Sequence, residues 1–235
     1  MTDLFAALDA TWPAFAQQSA GGWLVRQGTG GGKRVSSATV LAPAEAAPGI
    51  AAAEATHIAL GQEPLFCLRP DDGAADAALA ERGYRILDPV QIFTAPATDI
   101  AAELPAHLSS FAIWPPLAII DEIWEQGHIG PARRAVMDRV QGPKVAILGR
   151  ADDRAAGAVF VAMHEDVAMI HALHVDPAQR RQGLARNLVR AAAAWAVDQR
   201  ARHLSLAVTA ANAPACALYR ALGMQVTSHY HYRAR

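Results

Sequence analysis

The sequence predicts an α/β fold, a sheet carrying helices, and three observations predict it. Short apolar runs bounded by Gly, Pro or Asn alternate with alanine- and leucine-rich helical stretches along the whole chain. The mostly apolar run Met169–Val175, closed by Pro177, leads through a cationic turn into a stretch with Leu184, Leu188, Ala191 and Trp195 at helical spacing. Finally, Leu79-Ala80-Glu81-Arg82-Gly83-Tyr84 echoes Tyr219–Met224, a helix closed by glycine ahead of a long strand. The echo suggests that the α/β plan occurs in two tandem copies.

The elements follow in order. A helix is expected over Leu4–Gln18, interrupted at Pro13. Trp23–Arg26 and Val35–Leu41 read as two strands joined by the Gly28–Gly32 turn. That turn, ending Gly32-Lys33-Arg34, is no phosphate-binding P-loop: Gln27 replaces the first glycine and Arg34 the Ser or Thr. Ala44–Leu60 reads as helix with a break at Pro48-Gly49, then a strand Leu65–Arg69, a helix Ala74–Glu81 and a strand Tyr84–Thr94. Pro96–Ser110 is the expected linker. Beyond it come helices Leu117–Gln126 and Pro131–Val140, and strands Val145–Gly149, Gly157–Met163 and Val167–Val175. The helix from Leu184, the strand His203–Thr209, the helix after Asn212 and the strand Met224–Tyr232 complete the sheet. The domains are accordingly 1–96, a linker 97–110, and 111–235.

The segment Val175–Ala185 carries the most chemistry. Gly183 lets the backbone approach a ligand, and the first N–H groups of the following helix have no intrahelical acceptor, which with the helix dipole favours an anion. Arg180-x-x-Gly183-x-Ala185 resembles the (Gln/Arg)-x-x-Gly-x-(Gly/Ala) signature of the GNAT acyl-CoA-dependent N-acetyltransferases. A second segment, Asn212-Ala213-Pro214-Ala215-Cys216-Ala217-Leu218-Tyr219-Arg220-Ala221-Leu222-Gly223-Met224, is similar to the next motif of that family. The resemblance implies a mixed, mostly antiparallel sheet flanked by helices. It also implies acetyl-CoA as co-substrate, with its pyrophosphate wrapped by Arg180, Arg181, Gln182, Gly183, Leu184 and Ala185. The strand end Leu173, His174 and Val175 would meet the pantetheine or polarise the thioester carbonyl. The first half lacks an Arg-x-x-Gly-x-Ala turn, so it resembles the degenerate N-terminal half found in some family members.

Amine acetylation requires a deprotonated amine, a stabilised oxyanion and a protonated leaving thiolate. Tyr219 matches the tyrosine that family members use to protonate the thiolate, and a phenol of pKa ~10 suits a thiolate of pKa ~8.5. His171 is the candidate base, an imidazole near pKa ~6.5 in a strand where relatives carry a glutamate or histidine. His174 competes with it and would lie on the other face of a regular strand; Glu165 and Asp176 are lesser candidates. Asn212 either contacts the pantetheine or simply caps the helix that follows.

Composition narrows the remaining classes. A net charge of −1 over 235 residues gives no reason to expect nucleic acid or an anionic membrane as partner. No apolar run approaches the ~18 residues of a membrane span, and the start Met1-Thr2-Asp3-Leu4-Phe5 has no cationic leader. A cytoplasmic location is expected. Cys67 and Cys216 lack metal-ligand spacing, and His229-Tyr230-His231-Tyr232 reads as a strand with one polar face, so no metal is expected. The first half serves either as a wall of the acceptor pocket, through Trp12 and Trp23 with Trp114 beyond the linker, or as a homodimer surface. The expected activity is acetyl transfer to the amine of a small molecule or peptide by direct attack in a ternary complex. The rival is a non-catalytic acyl-CoA-binding or partner-binding module.

Overall fold

A computed structural model describes residues 3–235, which form two compact units. The larger holds the chain up to Pro13, Ile92–Ala207 and Pro214–Val226; the smaller holds Ala14–Gln91, Val208–Ala213 and Thr227–Arg235. Membership therefore crosses the expected division on both sides. The first helix, α1 (Leu4–Thr11), goes with the larger unit and the last residues of the final strand with the smaller.

The expected helix Leu4–Gln18 stops at Thr11 because Pro13 cannot continue it. Ala16–Ala20 is instead a strand, β1, paired antiparallel with β2 (Trp23–Gln27). Ala20 lies opposite Trp23, so Gly21 and Gly22, at φ 55° and 78°, form a two-residue turn with both residues left-handed. The Gly-Gly pair was the overlooked signal. The expected strand Val35–Leu41 divides into a short helix α2 (Lys33–Ser36) and β3 (Ala38–Val40). A crossover through α3 (Pro43–Ala46) and α4 (Ile50–Ala59) then leads to β4 (Phe66–Leu68), parallel to β3. The amides at the start of this crossover are already used: Leu41 and Ala42 N–H both donate to the Gly22 carbonyl, at 2.8 and 3.0 Å. A Cβ on Gly49 would fall 1.8 Å from the Gly21 carbonyl oxygen, so hairpin and crossover are in backbone contact.

The core of this unit is aromatic. Trp23 meets Phe66 edge-on at 4.8 Å between centroids, and Phe66 meets Tyr84 at 5.2 Å. Trp23 is fully buried, its indole N–H donating to the Ala46 carbonyl at 2.7 Å, so it serves the core rather than lining a pocket. The helix α5 (Gly73–Glu81) ends at Gly83 and is followed by β5 (Arg85–Pro96). Asp76 on α5 accepts two bonds from Arg233 and lies 2.8 Å from His231 Nε2, so the polar face of the last strand is tied down by an ion pair. Arg233 and His231 hold the Asp76 carboxyl below its usual pKa.

In the larger unit, the stretch expected as a linker carries α6 (Ala97–Ala101) and the start of β6 (Ser110–Ile113). Helices α7 (Ala118–Gln126) and α8 (Pro131–Arg139) lead into β7 (Lys144–Ala151), β8 (Arg154–His164) and β9 (Val167–Val175). Then come α9 (Leu184–Asp198), β10 (His203–Thr209), α10 (Ala213–Ala221) and β11 (Gln225–Ala234), of which β11 passes into the smaller unit at Thr227. The strand order here is β5-β10-β9-β8-β7-β6. The pairs from β6 to β9 are antiparallel, and β10 is parallel to β9, joined to it by the α9 crossover.

Two details seat α9 on this sheet. Its buried stripe runs Leu184, Leu188, Val189, Ala192, Ala193 and Ala196, a face that leaves Ala191 and Trp195 half-buried rather than in the core. Beneath Leu184 and Leu188 the sheet has no side chains, because Gly149 of β7 is paired with Gly157 of β8. A Cβ on Gly149 would lie 2.9 Å from Leu184 Cδ1 and 3.0 Å from Leu188 Cδ2. The glycine pair is a notch, and the two leucines fill it.

Candidate active site

The end of β9 is not a regular strand. Ala158 of β8 pairs with His174 and Phe160 pairs with His171, so Val159 alone faces both Ala172 and Leu173. That two-against-one count is a β-bulge, with Ala172 at φ 51°. The indole N–H of Trp124 on α7 donates to the Ala172 carbonyl at 2.8 Å, pinning the bulge. The parallel ladder to β10 runs from His203↔Val167 only to Leu206↔Ile170. From Leu173 onward, β9 therefore has no ladder partner in β10 in that register. The bulge also changes the two-face relation expected of His171 and His174, since it shifts the alternation by one.

Beyond Val175 the chain tightens into a single 3₁₀ turn, Pro177–Gln179, capped by Asp176, whose carboxylate accepts from Ala178 N–H at 2.9 Å. Arg180 Nε donates to the Val175 carbonyl at 3.2 Å, folding that side chain back along the turn. Arg181 has φ 68° and Gly183 φ 82°. Two left-handed residues so close together, one of them arginine, cost of order 1–3 kcal/mol at the non-glycine position. Such strain persists where the turn has a task. Arg180, Arg181, Gln182 and Gly183 are exposed, Leu184 is buried in the notch, and Ala185 is half-buried. The exposed turn Arg180–Gly183, with its two guanidinium groups, thus stands at the start of α9, where the first N–H groups have no intrahelical acceptor and favour negative charge.

His171 is buried, and its Nε2 lies 2.9 Å from Thr11 Oγ1. The imidazole packs at 5.0 Å and 34° on Trp12 and at 6.2 Å and 31° on Phe160; Trp114 adjoins Phe160 at 5.6 Å. Trp12, Phe160 and His171 thus form one aromatic cluster, which Trp114 joins through Phe160. His174 differs. Its ring packs on Gly127, where a Cβ would sit 2.5 Å from Nδ1, and its Nε2 is buried without a hydrogen-bond partner among the described residues. Burial, and after it the charge of Arg180, pulls the His174 pKa below the usual imidazole value.

Tyr219 is buried on α10, its ring 5.6 Å from that of Phe93. Burial pushes its phenol up to about 12. Asn212 precedes α10 in the segment counted with the smaller unit, its backbone N–H donating to the Thr209 carbonyl at 3.0 Å. Sequence reasoning missed the bulge, the Gly149–Gly157 notch, Trp124 and Thr11. Only the glycine pair left a trace, as one Gly in each of two adjacent strands. Nothing in the local sequence connects Thr11 or Trp124 to β9.

Residues 112–224 match the model of the acetyltransferase (GNAT) family. A curated relative, the uncharacterized N-acetyltransferase YobR of Bacillus subtilis, is 24% identical over 96% of this chain and 95% of its own length. The solved GCN5-related N-acetyltransferase of Kribbella flavida covers 98% of this chain and 93% of its own at TM-score 0.73 and 18% identity. A tandem GNAT protein from the clavulanic acid biosynthesis pathway covers 84% of this chain and 74% of its own, at TM-score 0.62 and 16% identity. At these identities the solved structures speak for the fold, a GNAT-like one, and the family match is to the segment 112–224, which holds the bulged strand, the turn and Tyr219.

Proposed function

We propose that the larger unit transfers an acetyl group from acetyl-CoA to a primary amine by direct attack in a ternary complex. The observation that carries this reading is the turn from Arg180 to Ala185. Strained at Arg181 and glycine-permitted at Gly183, it sets the start of a helix and two cations at the end of a strand that has left its parallel ladder. The 3′-phosphoadenosine and pyrophosphate of coenzyme A fit that charge. The β9 backbone from Leu173 to Val175 is then the edge along which the pantetheine and thioester lie, with its N–H groups as donors to the developing oxyanion.

In this reading the amine nitrogen attacks the thioester carbonyl carbon, and its proton passes to the His171 imidazole. The C–S bond breaks, and the thiolate takes the Tyr219 phenolic proton. His171 is preferred to His174 because its ring is held at Thr11 Oγ1 within the Trp12–Phe160 cluster, whereas His174 Nε2 is buried without a hydrogen-bond partner among the described residues. A phenol held at about 12 stays protonated throughout the working range and is available as donor.

We read the smaller unit as a second copy of the same plan without the cofactor turn. Two features support it. Each unit joins parallel strands by a helical crossover, β3 to β4 and β9 to β10. Helices α5 and α10 also close with the same two bonds: Tyr84 N–H to Leu79 and Gly83 N–H to Ala80 in one, Met224 N–H to Tyr219 and Gly223 N–H to Arg220 in the other. In the smaller unit the Leu41 and Ala42 N–H groups ahead of the crossover donate to the Gly22 carbonyl, and no Arg-x-x-Gly-x-Ala turn opens the helix that follows. The activity is tested by following free thiol when acetyl-CoA meets a panel of polyamines, amino acids, aminoglycosides and peptide N-termini. Amine-dependent thiol release is the expected result. Tight acetyl-CoA binding with no release across the panel would instead favour an acyl-CoA-binding module.

A further inference from the structure

We infer that Trp124 is a positioning residue that aims the Leu173 N–H at the thioester carbonyl oxygen, by holding the peptide group that this N–H shares with the Ala172 carbonyl. The inference rests on the proposed acetyl transfer and adds to it which β9 donor meets the oxyanion and what fixes its direction.

A trans peptide group is planar, and its C=O and N–H point in opposite directions. The Ala172 carbonyl and the Leu173 N–H belong to one such group, so whatever fixes the first aims the second. Elsewhere in β9 the one-to-one pairing with β8 fixes these planes. At the bulge that pairing fails, since Val159 alone faces Ala172 and Leu173, and Ala172 has left the extended region at φ 51°. The Trp124 indole N–H, donating to the Ala172 carbonyl at 2.8 Å, supplies the restraint that the ladder lacks there. An indole N–H can only donate, so the bond has one sense.

The direction follows from the residues beyond. Asp176 N–H donates to the Ala156 carbonyl of β8 at 2.8 Å, and N–H groups alternate between the two edges of an extended strand. His174, paired with Ala158, shares the β8 edge, so Val175 and Leu173 turn their N–H groups to the edge toward β10. On that edge the ladder to β10 ends at Ile170, and the Leu173 N–H faces the stretch past its end. Trp124 is fully buried, and the Arg134 guanidinium of α8 stands 5.3 Å over its ring. Three residues on, Gly127 closes α7 and makes room for His174, whose Nδ1 would lie 2.5 Å from a Cβ there. Helix α7 thus holds the residues on both sides of Leu173, the Ala172 carbonyl through Trp124 and the His174 ring at Gly127.

The test is infrared spectroscopy of acetyl-CoA, heavy-carbon labelled at its acetyl carbonyl, bound to the full-length protein. Donation by the Leu173 N–H lowers the carbonyl stretch, so wild type is expected to show it below that of free acetyl-CoA. Two variants separate the indole N–H from the bulk of the ring: Trp124→Phe, and replacement of Trp124 by benzothienylalanine, an isostere with sulfur in place of the N–H. In both, the stretch should move back toward the free value while the affinity for coenzyme A is unchanged. With an amine that releases thiol, kcat should fall roughly tenfold, less than the ~10²–10³-fold loss of a whole oxyanion donor. The isostere carries the test if the cavity left by Trp124→Phe unfolds the protein. A wild-type stretch equal to the free value overturns the inference, as does a wild-type stretch in the isostere variant; in both cases the acetyl-CoA site still stands. No binding of acetyl-CoA by wild type overturns the proposed acetyl transfer and the inference with it.

Discussion

Tyr219 and His57 are both buried titratable groups, and they lead to opposite expectations. Tyr219 sits in the larger unit with its phenol at about 12, so it is protonated wherever the protein is folded and active. Tyr219→Phe removes only a hydroxyl and should leave the packing on Phe93 intact. We expect kcat to fall roughly 10²-fold, the lower range for a general acid, with acetyl-CoA affinity unchanged in a direct titration. Wild-type turnover in that variant would remove Tyr219 from the mechanism. His57, in the core of the smaller unit, is fully buried, with Nδ1 3.0 Å from the Ala53 carbonyl. Burial holds its pKa below the usual value, so the folded state keeps it neutral while the unfolded chain protonates near ~6.5. Its contribution to stability is therefore complete above about pH 6.5 and is lost as pH falls, by up to ~1.4 kcal/mol per pH unit for one proton. His57→Asn, which can still donate to Ala53, should unfold with a shallower acid dependence in denaturant titrations; an unchanged slope would exclude His57 as the acid-sensitive group.

At the level of elements, the helices and strands around the two motifs were legible because their signals are local. Gly83 and Gly223 closing two helices, Pro131 opening another and the apolar run before Pro177 each act through their own φ angles or missing N–H groups. The failures have physical causes of the same kind. Ala16–Ala20 is an exposed polar strand with no burial pattern, and only its Gly-Gly turn marks it. The bulge at Ala172 has no sequence signature, since it depends on Trp124 donating from another helix. The Gly149–Gly157 notch requires knowing that β7 and β8 pair in that register. It has a testable consequence. Gly149→Val should drive Leu184 and Leu188 off the sheet and displace the start of α9, costing about 1–3 kcal/mol in folding as overpacked sites do. Because the phosphate turn rides on that helix end, acetyl-CoA affinity should fall by more than the loss of stability alone produces. Unimpaired binding in a folded Gly149→Val protein would show that the notch does not position the turn.

For the whole molecule, the family segment 112–224 accounts for less than half of the chain, yet α1 and α6 also pack in the larger unit. Thr11 and Trp12, outside the family segment, stand against His171 within it. A fragment starting near residue 111 would lack both of these contacts to His171. The smaller unit keeps a crossover but has no Arg-x-x-Gly-x-Ala turn ahead of its helix, so the chain as a whole should have one cofactor site. The most direct test is a calorimetric titration of the full-length protein with acetyl-CoA. The account predicts saturable binding of one acetyl-CoA per chain, weakened by Gly183→Ala, whose residue would have to hold φ near 82° at a cost of about 1 kcal/mol or more. Two equivalents bound would contradict the reading of the smaller unit as a copy without the cofactor turn, and no binding at millimolar acetyl-CoA would contradict the central claim that the Arg180–Ala185 turn is a coenzyme A site.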